Sequence, residues 1–281
     1  VICTDKTATL TEGKMQVSHI LTGARELLAD GHAPLTTATA ENREVLSDVR
    51  ALKAGLLASD AYIENPEDTV HEWVVRGRPT ERALVIAATN AGLERPALEK
   101  EYPTLDHIPF DSKFKYSATL NKTPSGGTVL YVAGAPEIIA AYATHLDIDG
   151  KKVIIDSKEH RALIAKLEEL TKKGLRVLAC AVREFKKGAK IPEELSAEDV
   201  HDLTILGYIA LKDPLRADAK ESIAATKRAG IRTVLITGDH RLTAETIANE
   251  VGITATQETT LEGKDIEELS DDELFVKVKT V

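Results

Sequence analysis

Apolar residues recur along this chain at two spacings, one typical of strands and one typical of helices. A short apolar run at residues 1–4 predicts a buried strand. Residues 13–22 are predicted to be an extended connection. Further strand-like stretches lie at 105–110, 116–120, 128–133, 175–182 and 203–211, and Ser125-Gly126-Gly127 supplies a turn between the second and third of them. Asp149-Gly150 predicts a hairpin turn.

Helical spacing marks several segments between these strands. Thr80 with Glu81 is predicted to open a helix, and Ser157 is the predicted N-cap of a helix that Gly174 stops. The other helices of this part of the chain are predicted at residues 41–60 and 135–142. The mixture of helices and neighbouring strands predicts an α+β block.

The pattern changes towards the end of the chain. A helix is predicted at 217–229, a β-branched strand at 231–236 and a helix at 242–251. This alternation is typical of a parallel α/β sheet. The chain is therefore expected to form an α/β unit from residues 1–16 and 209–281, with an α+β block, 17–208, inserted into it.

Composition narrows the classes of partner. The chain has 281 residues, is 43% hydrophobic and carries a formal net charge of −9. An acidic balance argues against nucleic acid, because that binding depends on Lys and Arg meeting phosphates. Cys3 and Cys180 are too few for a disulfide framework or a metal cluster. No apolar run approaches the roughly 20 residues that are needed to cross a bilayer. The chain also lacks an initiating Met, so it is expected to be a piece of a longer protein.

Two polar clusters follow predicted strands of the α/β unit. Asp5 comes directly after the first strand, with Thr7 two residues later, and Thr237-Gly238-Asp239 follows the strand at 231–236. Ligands of open α/β sheets bind beyond the carboxyl ends of the strands. A carboxylate there can attack a phosphoryl group, and a helix N-terminus can hold its oxygens. Either cluster taken alone is also compatible with an ordinary turn or helix cap.

The run Asp5-Lys6-Thr7-Ala8-Thr9-Leu10-Thr11 resembles the phosphorylation signature of P-type ATPases. Thr237-Gly238-Asp239 resembles the second phosphoryl-site motif of that family, and Asp213-Pro214-Leu215-Arg216 resembles its return to the phosphorylation domain. The resemblance implies a partial haloacid-dehalogenase-like (Rossmann-like) parallel sheet with an inserted α+β nucleotide-binding domain built on an antiparallel sheet.

The resemblance also implies roles for these residues. Asp5 would accept the γ-phosphoryl group of ATP. Mg²⁺ would bind its carboxylate and the Thr7 carbonyl, since this ion prefers oxygen ligands. The other implied catalytic residues are Lys6, Thr7, Thr237, Gly238 and Asp239. Phosphatases of the superfamily usually carry an acid–base Asp where this chain has Thr7, so slower hydrolysis of the phosphorylated enzyme is expected.

A nucleotide pocket is implied by segments of the insert. Phe110 resembles the aromatic residue that stacks on adenine, and Lys115 follows it near the ring or the phosphates. The other residues implied to bind nucleotide are Glu81, Gly134, Arg176, Asp213 and Arg216. Without the resemblance, core packing would be the favoured interpretation of Phe110, and a surface charge on a strand would explain Arg176 nearly as well.

The chain departs from the family pattern in three places. Ala8 stands where the family has Gly. Ala133 stands where the nucleotide-pocket motif of the family starts with Lys. The later motif of the family that supplies Mg²⁺ carboxylates, and the catalytic lysine that precedes it, do not occur in this sequence. The expected consequences are slower phosphorylation, weaker nucleotide binding and an incomplete phosphorylation domain.

The expected function is therefore the ATP-binding and phosphorylation portion of a calcium-type cation pump. A nucleotide-binding module without turnover stays open, as does a soluble phosphatase, which Thr7 and the large insert disfavour. The expected partners are ATP or ADP and the rest of the pump, namely its membrane helices and actuator domain. The expected location is the cytoplasmic face of a membrane. Ion ligands would lie in the membrane helices.

Overall fold

The computed structural model describes residues 1–29, 45–69, 72–156, 158–239 and 241–281. The chain forms two compact units. The first comprises Val1–Lys14, Leu170–Leu175 and Asp213–Val281, and the second comprises Met15–Glu169 and Arg176–Lys212. These bounds differ from the expected α/β unit, 1–16 and 209–281, in that residues 15–16 and 209–212 lie in the second unit and residues 170–175 in the first.

The strands are, in chain order, β1 (Ile2–Asp5), β2 (Gln16–Leu21), β3 (Glu26–Leu28), β4 (Tyr62–Ile63), β5 (Val75–Arg76), β6 (Thr104–Asp111), β7 (Tyr116–Lys122), β8 (Thr128–Gly134), β9 (Ala143–Ile148), β10 (Lys151–Ile154), β11 (Arg176–Phe185), β12 (Leu203–Lys212) and β13 (Thr233–Ile236). The helices are α1 (Ser47–Leu57), α2 (Pro79–Asn90), α3 (Arg95–Glu101), α4 (Pro136–Tyr142), α5 (Lys158–Lys172), α6 (Ala219–Arg228), α7 (Arg241–Val251), α8 (Gly263–Glu267) and α9 (Asp271–Lys277).

The second unit is built on a large sheet with the strand order β10-β9-β12-β11-β8-β7-β6, in which β2 also pairs with β12 and β3 with β2. All of these pairs are antiparallel except β9 with β12. Helices α1 and α2 pack together, and α1 covers β8, β11 and β12. The prediction of an α+β insert on an antiparallel sheet is confirmed.

The core of the second unit lies between this sheet and its helices. Leu52 and Leu56 of α1 are 0% exposed and Leu84 of α2 is 1% exposed. Burying one such side chain contributes about 1.5–3 kcal/mol. This packing holds α2 in place, and the first turn of α2 contains Thr80 and Glu81.

The first unit contains a parallel strand pair, β1 with β13, and the helices α6 and α7. Its small core joins Leu10 to Ala219, Ile223 and Val251. The predicted parallel α/β arrangement is thus confirmed for these two strands among the described residues. The wider haloacid-dehalogenase-like sheet stays a prediction.

Several predicted elements need correction. Residues 13–22 are not merely a connection, because β2 lies within them and joins the large sheet. The helix predicted at 217–229 runs only from Ala219 to Arg228, and the strand predicted at 231–236 starts at Thr233. Residues 41–44, the predicted start of a helix, and the predicted N-cap Ser157 lie outside the described residues.

Candidate functional site

The two polar clusters of the first unit lie at the ends of paired strands. In the parallel register, Asp5 is the partner of Ile236, so Thr237 is the next residue beyond the edge that Asp5 reaches. Asp5 is exposed, and its Oδ1 accepts a hydrogen bond of 2.7 Å from the Lys6 amide. The pairing therefore places an accessible carboxylate beside Thr237-Gly238-Asp239.

An ion pair joins the two strand ends. Lys6 Nζ lies 2.5 Å from Asp239 Oδ2, and both side chains are largely buried, at 13% and 29% exposure. The Asp239 amide donates to Thr237 Oγ1 over 3.2 Å, which closes a tight turn after β13. Gly238 is exposed, and an added Cβ there would meet nothing within 4 Å. His240, the residue after Asp239, lies outside the described residues.

The chain after Asp5 folds into one compact loop. The amide of Thr11 donates to Lys6 O over 3.1 Å, and its hydroxyl lies 3.2 Å from the same oxygen. Thr7 is exposed and extended, with φ −73° and ψ 128°. Ala8 adopts φ 61° and ψ 5°, the left-handed region that glycine favours. Position 8, where the family pattern has Gly, therefore has a backbone conformation that Gly adopts more easily than Ala.

Asp213 and Arg216 also form hydrogen bonds with this loop. Asp213 accepts a hydrogen bond of 2.7 Å from Thr11 Oγ1 and one of 3.1 Å from the Lys14 amide. Arg216 donates to Thr11 O over 3.2 Å and to Ala8 O over 3.0 Å. Both residues were predicted to bind nucleotide, which stays a prediction. In the structure, the hydrogen bonds of Asp213 and Arg216 hold the loop after Asp5 in place.

In the second unit, contacts at the N-terminus of α2 connect three predicted nucleotide residues. Glu81 is buried, and its Oε2 accepts a hydrogen bond of 3.2 Å from the Arg78 amide. The Arg78 guanidinium donates to Phe110 O over 3.1 Å. Arg176 donates to Thr80 Oγ1 over 3.3 Å. Phe110, Glu81 and Arg176 therefore lie around one short segment.

Phe110 presents its ring at the surface. Its side chain lies in an irregular part of β6, where the register with β7 shifts between Ile108 and Asp111. The residue is 37% exposed. The guanidinium carbon of Arg78 lies 4.6 Å from the ring centroid. The sequence analysis did not single out Arg78, which directly precedes α2.

Lys115 and Gly134 lie together at the adjoining ends of β7 and β8. Lys115 adopts φ 58°, and its Nζ is 3.4 Å from Glu137 Oε1 at the surface. A Cβ added to Gly134 would lie 2.7 Å from the Lys115 carbonyl oxygen. Close approach of the two strands thus accounts for glycine at this position without a ligand.

The oxygens near Asp5 match part of the ligand set that Mg²⁺ requires. Mg²⁺ in phosphoryl-transfer sites is commonly held by one or two carboxylates, with waters and substrate phosphates completing its octahedron. The exposed Asp5 carboxylate and the extended backbone at Thr7 fit the protein share of such a site. The Asp239 carboxylate is instead paired with Lys6.

Within the described ranges, which omit 30–44, 70–71, 157 and 240, no helix has both the length and the apolar character to cross a bilayer.

Comparison with known proteins gives consistent matches. A calcium-transporting ATPase of Bacillus subtilis is 31% identical over 288 residues, which cover 100% of this chain and 32% of that protein. Calcium-transporting ATPase 1 of Lactococcus lactis is 34% identical over 98% of this chain and 29% of its own length. A probable cation-transporting ATPase F of Mycobacterium tuberculosis is 34% identical over 100% of this chain and 31% of its own.

The chain therefore spans about a third of the length of these curated relatives, at 32%, 29% and 31%. The model of a protein family, described as P-type ATPase, cytoplasmic domain N, matches residues 49–218. That match covers most of the second unit, including the segments around Glu81, Phe110, Lys115, Gly134 and Arg176. On this evidence the chain belongs to the P-type ATPase family and contains its cytoplasmic domain N.

Proposed function

We propose that this chain is the ATP-binding and phosphorylation portion of an ATP-driven cation pump, and that Asp5 accepts the γ-phosphoryl group of ATP. The observation that carries the proposal is the β1–β13 register, with Asp5 opposite Ile236 and Lys6 paired with Asp239. A nucleophile and a second polar loop are thereby held at one sheet edge, where α/β proteins bind ligands.

In the proposed reaction, a carboxylate oxygen of Asp5 attacks the γ-phosphorus in line with the bond to the β–γ bridging oxygen. The new bond joins Asp5 to phosphorus, the bridging bond breaks, and ADP leaves with its electron pair. The hydroxyl of Thr237 and the amide of Gly238 would donate to the phosphoryl oxygens. Mg²⁺, when bound, would offset the negative charge of the phosphate oxygens.

Lys6 has a positioning role in this proposal. Its ammonium group is held 2.5 Å from Asp239, so it fixes the loop after β13 relative to Asp5. Thr7 cannot act as a general base in the way a second carboxylate could, which favours a longer-lived acyl phosphate. Such an intermediate suits a pump, because a conformational change has to precede hydrolysis.

We further propose that nucleotide binds the second unit beside Phe110, Lys115, Gly134 and Arg176, with Glu81 at the N-terminus of α2. The exposed Phe110 ring supports this assignment, since base–aromatic stacking contributes about 1–3 kcal/mol. The names of the Bacillus and Lactococcus relatives favour calcium as the transported ion. Membrane helices, an actuator domain and a location at the cytoplasmic face of a membrane belong to the same proposal for the whole protein.

Phosphorylation of Asp5 can be tested directly in the full-length protein. Incubation with γ-labelled ATP is expected to give an acid-stable, hydroxylamine-labile label, because acyl phosphates react with hydroxylamine. Asp5→Asn should abolish the label, while Asp218→Asn, an exposed Asp of the same unit, should keep it. Label that persists in Asp5→Asn would refute the assignment.

A further inference from the structure

The face of Phe110 is occupied in this structure by a residue of the chain itself. The guanidinium carbon of Arg78 lies 4.6 Å from the centroid of the ring, inside the range of a cation–π contact. Its Nη2 also donates a hydrogen bond of 3.1 Å to the Phe110 carbonyl oxygen. Two contacts therefore hold the guanidinium group against the same residue.

The position of Arg78 is set by the first turn of α2. Its amide donates to Glu81 Oε2 over 3.2 Å, and its Nη1 lies 3.7 Å from Glu81 Oε1. The backbone of Arg78 is thereby anchored, but its side chain is 46% exposed. Such a guanidinium group can leave the ring by side-chain rotation without unfolding of the helix.

An aromatic base and a planar guanidinium group can both stack on the face of the Phe110 ring, so they would bind to the same surface. We propose that Arg78 competes with the adenine base for Phe110 and so lowers nucleotide affinity. This inference rests on the proposed function, since it needs nucleotide to bind at Phe110. Binding then exchanges one stacking partner of Phe110 for another.

The size of the effect follows from the contact that must break. An exposed cation–π contact contributes about 0.5–1 kcal/mol, which corresponds to roughly a two- to fivefold change in affinity. Arg78→Ala should therefore bind ADP about two- to fivefold more tightly than the parent chain. Arg78→Lys keeps the charge but loses the planar stacking group, so its affinity should fall between the two.

The test is isothermal titration of the whole chain with ADP, which binds without phosphoryl transfer. Arg82→Ala is the matched control, because Arg82 is an exposed arginine one helical turn later on α2. It removes the same charge and should leave ADP affinity unchanged. Equal tightening in Arg82→Ala and Arg78→Ala would overturn the proposal, because the effect would then be one of charge alone.

Two further titrations separate competition at the ring from other roles. In a Phe110→Ala background, Arg78→Ala should no longer raise affinity, because the contested surface is gone. Inorganic tripolyphosphate, which has no base, should bind the parent chain and Arg78→Ala equally. Weaker ADP binding by Arg78→Ala would overturn the proposal, since Arg78 would then assist the nucleotide.

Failure of this inference and failure of the proposed function give different results. If Phe110→Ala binds ADP as tightly as the parent chain, the proposed adenine site is wrong and the role of Arg78 falls with it. If Phe110→Ala binds more weakly while Arg78→Ala matches the parent chain, the adenine site stands and only the competition by Arg78 is refuted.

Discussion

At the scale of single residues, Ala8 is the clearest departure from what the backbone requires. Its φ of 61° places its Cβ close to a carbonyl oxygen, a conformation that costs an L-residue about 1–2 kcal/mol. The loop is held in this conformation by the donation of Arg216 to Ala8 O and by the Thr11 contacts to Lys6 O. The strain is thus stored directly beside Asp5.

Ala8→Gly is expected to raise the free energy of unfolding of the first unit by about 0.5–1 kcal/mol. The gain from removing the strained Cβ exceeds the extra chain entropy of glycine. Urea unfolding followed by circular dichroism measures it. Ala225→Gly, on the exposed side of α6, should have the opposite effect and cost about 1 kcal/mol. A loss of stability in Ala8→Gly would contradict the strain assigned here.

Tyr208 is a second residue whose environment has a measurable consequence. It is 0% exposed in β12, and among the described residues its hydroxyl has no hydrogen-bond partner. Burial raises the pKa of Tyr208 from 10.0 to about 12. Tyr208→Phe should therefore raise the free energy of unfolding at neutral pH by about 1 kcal/mol, because an unsatisfied polar group is removed.

The pH dependence has a definite sign. From pH 10 to 12 the unfolded chain ionises this tyrosine while the folded chain keeps it neutral, so stability falls as the pH rises. Burial of Cys180 raises its pKa to about 12 and adds to the same fall. Denaturant unfolding at several pH values should show a shallower fall in Tyr208→Phe. Tyr62→Phe, at a tyrosine 50% exposed, should retain the full slope.

At the scale of elements, the start of α1 depends on a hairpin distant in sequence. The N-cap residue Leu46 offers no side-chain hydrogen bond. Instead, Asp149 Oδ1 accepts from the Ser47 amide over 3.0 Å, and the Asp149 amide donates to Ser47 Oγ over 2.7 Å. Fully buried Asp147 accepts from Ser47 Oγ over 2.7 Å and from Arg50 Nη1 over 2.6 Å. The β9–β10 turn thus caps the helix.

Asp147→Ala should lower the free energy of unfolding by about 3 kcal/mol, because it leaves Arg50 and Ser47 without their buried acceptor. Denaturant unfolding followed by tryptophan fluorescence measures the loss in the second unit. Asp156→Ala is the control, since that side chain is 90% exposed, and it should change stability by less than about 0.5 kcal/mol. Equal stabilities for the two variants would show that the hairpin does not support α1.

The elements that the sequence predicted well are those with strong local signals. The strands β6, β7 and β8, the helix α7 and the Asp149-Gly150 turn have uniform apolar patterns or characteristic turn residues. β2 was missed because polar Ser18 is buried in it, which hides its alternation. The start of α1 was not identifiable because its cap comes from residues about 100 positions away.

The candidate site also has features with a local sequence signal and features that depend on contacts between distant segments. The places of Asp5 and of the Thr237–Asp239 turn at strand ends could be predicted, because a strand end is a local feature of the sequence. The pairing of Lys6 with Asp239 and the stacking of Arg78 on Phe110 could not, since each joins segments far apart in the chain. Periodicity contains no information about such contacts.

At the scale of the whole molecule, the two units have cores of unequal size. The buried core cluster of the second unit extends through α1, α2 and four strands of the large sheet, β2, β8, β11 and β12. In the described residues of the first unit, the buried apolar cluster is formed by Leu10, Ala219, Ile223 and Val251. Stability rises with buried apolar area, so the first unit is expected to be the less stable of the two.

Unfolding should therefore occur in two steps. The single tryptophan, Trp73, lies in the second unit and packs against its core, whereas circular dichroism reports helices of both units. In a urea titration, the circular dichroism signal should begin to fall at lower urea than the fluorescence signal, which breaks the two-state criterion of coincident probes. Coincident curves would show that the units unfold together.

The pairing of β2 with β12 bears on the order in which the chain can fold. Gln16 and Lys212 are partners in that ladder, so the second unit, once formed, brings residues 14 and 213 close together. Without it, the first unit would have to close a loop of roughly 200 residues at an entropic cost of about 5 kcal/mol. Early formation of the β2–β12 pairing is therefore expected to lower the entropic cost of closing the unit that contains Asp5, and damage to that pairing is expected to slow its folding.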